Sequence, residues 1–207
     1  TLRSKAASQA MAGLLEDDSL DAMARVSIIE SLPRRSTDAP LLVDIMKNGG
    51  DTSLQAAAAK KLSADIYPDE EINEALLEST RSENTELRIA AISTLRERKS
   101  DQAGGAIRDA VNDEDMEVRA AIFYLLAGTE DDFEVRQLVD SAETELTTPG
   151  ARDALLYALV ETGCKGRKTE ARIQKCKGGS DDAKAMLCDA IPYWVKTYMD
   201  SDVHLDT

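Results

Sequence analysis

Residues 85–97, TELRIAAISTLRE, and residues 116–128, MEVRAAIFYLLAG, are written on one pattern. Each has an acidic residue, a branched aliphatic, an arginine, small residues and then aliphatics at helical spacing. With Arg88 and Arg119 as anchors, the frame recurs at Arg25, Gln55, Arg152 and Lys184, at spacings of 30, 33, 31, 33 and 32 residues. Four residues before the anchors stand Asp21, Asp51, Asn84, Asp115, Thr148 and Ser180, all residues whose short side chains cap the free N–H groups of a helix start. Pro149 follows Thr148, in the position proline favours at the head of a helix. Seven residues after the anchors come Leu32, Leu62, Leu95, Leu126, Leu159 and Ile191; three after come Ile28, Ala58, Ala91, Ile122, Leu155 and Leu187. Those two slots share one helical face, so each copy presents the same apolar stripe.

Between the anchored helices lie second amphipathic stretches: APLLVDIMKNG, EEINEALLEST, AGGAIRDAVN, FEVRQLVDSA and KTEARIQKC. Polar or Gly/Pro turns precede them. Two helices per roughly 32 residues, with no strand pattern, make a unit that buries its apolar face only by stacking on its neighbours. The expected fold is all-α: a single right-handed α-solenoid, or α-α superhelix, of about five to six helix pairs spanning residues 1–195. Residues 1–18 form a partial N-terminal repeat or cap helix, and 196–207 a C-terminal cap and tail. The chain has no initiator Met and reads as starting within a repeat.

The hydrophobic–Arg–x–Ala–Ala–hydrophobic segment, as in LRIAAI and VRAAIF, preceded by an Asp or Asn cap, resembles HEAT repeats of the short type found also in phycobilisome lyases. The resemblance covers about residues 20–195. It implies scaffolds, adaptors, transport receptors and a few enzymes, so the function must come from the site. It also implies that the repeated arginine bonds an Asp or Asn in a neighbouring turn.

Composition removes several functions. A net charge of −14 repels nucleic-acid phosphates, and no apolar run reaches the roughly 20 residues of a membrane helix. Aromatics make up 4% of the chain, against the aromatic-lined groove of HEAT-like glycosylases. His204 is the only histidine, which rules out paired His–Glu iron sites. Neither a Ser–His–Asp nor a Cys–His set is present, and NDEDME lacks the alternating ligands of a calcium loop. No cofactor and no metal are expected.

Cys164, Cys176 and Cys188 are spaced 12 apart, which is no metal motif. The frame makes Cys188 a core residue. Cys164 falls in a turn beside cations and is the candidate reactive thiol; a Cys164–Cys176 disulfide is the alternative. The odd cysteine number favours a reducing, cytoplasmic interior over export.

Charge is unevenly placed. Residues 1–100 hold 13 basic and 17 acidic side chains, residues 101–163 hold 4 and 15, and residues 164–207 hold 8 and 7. The acidic middle includes NDEDMEV and TEDDFEV, which read as helix N-termini, and Glu134, Asp140, Glu143 and Glu145 on or after a second helix. In HEAT stacks second helices line the concave side. An acidic patch near residues 109–145 there would capture a basic protein. The expected function is a non-catalytic interaction scaffold or adaptor, with Glu74, Glu78, Asp109, Arg136, Asp140 and Glu143 facing the partner. The alternatives are a subunit of a bilin or chromophore lyase using Cys164, and a spacer segment of a larger protein.

Overall fold

The computed structural model describes residues 10, 12–15, 20–64, 67, 69–145 and 150–163. Among these no strand forms, and the described residues are all-α. The helices are α1 (Ala22–Ser31), α2 (Ala39–Asn48), α3 (Thr52–Lys61), α4 (Asp69–Ser79), α5 (Thr85–Glu97), α6 (Ala103–Ala110), α7 (Met116–Leu126), α8 (Asp132–Glu145) and α9 (Arg152–Gly163), with a 3-10 turn at Ser36–Asp38. The odd-numbered helices are the anchored ones and the even-numbered helices are their partners. The chain divides into two compact units, Thr1–Ala106 and Ile107–Thr207.

The capping slot works as the sequence demands. Asp21 accepts from the Ala24 N–H at 2.7 Å, Asp51 from Leu54 at 3.1 Å, Asn84 from Leu87 at 3.3 Å and Asp115 from Glu117 at 2.9 Å. Each bond satisfies one of the four donors that a helix start leaves without a helical partner. Thr148, Pro149 and Ser180 lie outside the described residues, as do all three cysteines and His204. Helix α9 starts at Arg152, and a carboxylate oxygen of Glu145 accepts from the Ala151 N–H at 2.9 Å.

The apolar slots fill the core. Leu32, Leu62, Leu95, Leu126 and Leu159 are buried, and so are Ala58, Ala91, Ile122 and Leu155. Ile28, on the first described anchored helix, is only half-buried. In the first unit α3 packs between α1 and α5, while α2 and α4 pack on each other and on the anchored layer. The small residues of α3 (Ala56, Ala58 and Ala59, all buried) let those helices approach closely. In the second unit α7 and α9 lie side by side, with α8 against both.

Polar bonds in the first unit recur at about one repeat's separation. Lys61 Nζ donates to the Glu30 carbonyl 31 residues away, Asn84 Nδ2 to the Thr52 carbonyl 32 away, and Thr94 Oγ1 to the Ala59 carbonyl 35 away. Arg98, just past α5, donates to Asn73 Oδ1 at 2.9 Å and to the Leu62 carbonyl at 2.7 Å, closing the α3–α4 connection. The following Lys99 sits at φ +54°, and Ser100 N–H bonds back to the Leu95 carbonyl. That is a left-handed residue ending a helix.

Candidate interaction surfaces

The anchor arginines serve the fold. Arg88 donates from Nη1 to the carbonyls of Ser82 (2.9 Å) and Glu83 (3.3 Å), and Arg119 to those of Asp113 (2.8 Å) and Glu114 (3.2 Å). Both clip the loop that leads into their own helix, at the same two offsets. At the copy where Gln replaces Arg, Gln55 Oε1 instead accepts from Asn84 Nδ2 at 3.3 Å.

Much of the acidic middle turns out to be internal scaffolding. Arg119 Nε also pairs with Glu145, which is 4% exposed. A hollow of about 230 Å³ adjoins this pair, walled by Val111, Asp113, Ser141 and Thr144. In TEDDFEV, Asp131 accepts from the Glu134 N–H at 3.0 Å, Thr129 Oγ1 accepts from the Asp131 N–H, and the Thr129 hydroxyl donates to the buried Glu134 carboxylate. In NDEDMEV, Asp113 accepts from the Asp115 N–H and Asp115 caps α7. Glu134 and Glu145, counted in the sequence as part of an acidic patch, are therefore withdrawn from the surface. Acids at helix starts are held by N–H donors and the positive end of the helix dipole.

Other expected surface residues do point outward. Glu74 and Glu78 of α4, Asp109 of α6, and Arg136 and Asp140 of α8 are exposed. Glu143 lies on α8. Glu78 bonds Lys47 Nζ of α2 at 2.6 Å, and that hydrogen bond and charge hold its carboxyl below the usual carboxylate range. At this exposed position water and salt screen the pair. Glu74 and Glu78 belong to the first unit and the others to the second.

One surface escaped the sequence analysis. Tyr124 of α7 and Tyr157 of α9 are 55% and 50% exposed, and their ring centroids lie 5.5 Å apart at 51°. Val160, nearly one turn further along α9, is also exposed. The signal was present in the repeat frame, because both tyrosines occupy the slot five residues after an anchor. In earlier copies that slot holds Glu30, Lys60 and Ser93.

Among the described residues no cluster of His, Cys, Asp or Glu could hold a metal ion, and no helix is long and apolar enough to cross a membrane. Residues 39–127 match the family model of HEAT repeats, which bears out that resemblance over α2 to α7. HEAT repeats commonly serve as protein-interaction scaffolds and are generally non-catalytic. No curated protein matches the chain.

Proposed function

We propose that these HEAT repeats form a non-catalytic scaffold that holds a protein partner of basic surface on its even-numbered helices. The observation that supports this most is a division of labour among the acids of the second unit. Glu134 and Glu145 are buried and bonded within the fold, whereas Asp109 and Asp140 on the same helix layer are exposed. Exposed like charges that the fold does not need raise the capture rate of an oppositely charged partner. Glu143 stands on the same helix α8, and in the first unit Glu74 and Glu78 of α4 are exposed acids of their own. Arg136, the one cation of this set, would fix the register of the partner by its own contact.

The test compares the native chain with D109N/D140N/E143Q as baits for proteins of the source lysate. A protein retained by the first, released from the second and eluted from the native chain by moderate salt supports the reading. Equal retention on both baits removes the acidic layer from the interface.

A further inference from the structure

The Tyr124–Tyr157 pair lies on the odd-numbered helices α7 and α9, whereas the acids of the proposed interface stand on α6 and α8, and half-exposed rings are not needed for packing. The repeat frame shows what this slot needs in order to fold. Glu30 and Lys60 fill it as exposed charged residues and Ser93 as a half-buried polar one. Two consecutive copies replace those with half-exposed aromatic rings in a chain that is only 4% aromatic. The third described tyrosine, Tyr67, is fully buried. Val160 repeats the exception at the next slot, where earlier copies hold Pro33, Ser63, Arg96 and Ala127.

The surroundings select the chemistry of a partner. Glu117 precedes Tyr124 by seven residues and Asp153 precedes Tyr157 by four, so each shares its tyrosine's helical face. Both are exposed. Residues 107–163 carry 4 arginines, no lysine and 14 acidic side chains. Arg119 is paired with Glu145, Arg152 has partners of its own and Arg136 belongs to α8. The remaining one, Arg108, already shows the preferred contact inside the unit, with its guanidinium carbon 5.2 Å from the centroid of the Phe133 ring. Electron-rich rings with exposed carboxylates on the same helical faces favour a cation over a neutral apolar group.

We propose that Tyr124 and Tyr157 form a docking surface for a cationic segment of another protein. An Arg or Lys side chain of that segment lies over the two rings, its stem against Val160, and Glu117 and Asp153 meet its neighbouring charges. This surface stands apart from the acidic layer of α6 and α8 and does not depend on it.

The probe is a labelled Gly-Arg repeat peptide, followed by fluorescence anisotropy with the full chain. The dissociation constant should rise about 10-fold in Y124S/Y157S, the size expected for losing a cation–ring contact. E117Q/D153N should weaken binding and flatten its salt dependence. D109N/D140N should leave the Tyr-dependent part intact. Serine stands in this slot at Ser93, and an unchanged thermal melt by circular dichroism shows that the variant folds. The ring-proton signals of Tyr124 and Tyr157 should shift on peptide addition to the native chain, a readout that requires no variant. Peptide binding unaffected by Y124S/Y157S, or no binding at all, overturns the proposal. Loss of binding in D109N/D140N alone also overturns it, and leaves the scaffold reading in place. Self-association of the native chain in sedimentation that disappears in Y124S/Y157S makes the occupant a second copy, and overturns the cationic partner.

Discussion

Arg119 does three things from one side chain: it holds two loop carbonyls and neutralises Glu145, whose other oxygen accepts from the start of α9. Removing the guanidinium leaves a carboxylate buried without its counter-charge, the costly half of breaking a buried pair. Arg119→Ala should therefore lose about 3–5 kcal/mol in urea unfolding. The same change in an E145Q background should cost clearly less, and equal costs in both backgrounds would deny the coupling. Tyr67 offers a pH-dependent counterpart. Burial pushes its hydroxyl pKa up, and the Asp38 carboxylate adds to the shift. Below the ordinary tyrosine value of about 10 both folded and unfolded chains keep the proton, and the contribution is fully present. As pH rises further, the unfolded chain ionises first and stability falls. Tyr67→Phe should reduce that alkaline loss of stability, measured as the denaturation midpoint against pH. None of this was legible in the sequence. Arg119 and Glu145 are 26 residues apart, and the charge count treated Glu145 as surface.

Helix starts were legible because a cap is a local bargain between a side chain and an N–H two or three residues on. Asp21, Asp51, Asn84 and Asp115 all fell to that reasoning. Asp131-x-x-Glu134, in a stretch that also reads as a helix N-terminus, carried the same kind of local signal, the spacing of a capping box, but the burial of Glu134 was not part of it. Helix ends were less legible. The α5 terminus places Lys99 at φ +54°, where a Cβ is unfavourable and glycine is the usual occupant. Lys99 is exposed, so its side chain fills no core space. Lys99→Gly should raise stability by up to about 1 kcal/mol, since the relief at a left-handed site exceeds the extra freedom glycine gives the unfolded chain. Calorimetry that found a lower melting temperature would contradict this account.

At the scale of the chain, the period near 32 residues fixed the fold before any contact was known, because a stripe repeated in every copy can be buried only by stacking. Function did not follow in the same way. The exposed slots are free to vary, so the repeat pattern itself says little about a partner, and the information lies in what each copy places there, as at Tyr124 and Tyr157. Stacked repeats also confine damage to neighbours. Leu95→Ala, which empties a fully buried position of α5, should cost 2–5 kcal/mol by general experience with such cavities, roughly. Its effect on hydrogen exchange should be largest in α3 and α5 and should fade with each repeat. Uniform loss of protection from α1 to α9 would show a single cooperative block instead.

The arginine clip has an evolutionary reading. Arg88 and Arg119 each grip carbonyls five and six residues upstream, so loop, helix start and anchor are tied together within one stretch of sequence. A gene segment copied or deleted in whole periods carries every partner of that clip with it. Inherited this way, the array can lengthen or shorten without inventing a new joint, and selection can rewrite the outward slots of each copy independently.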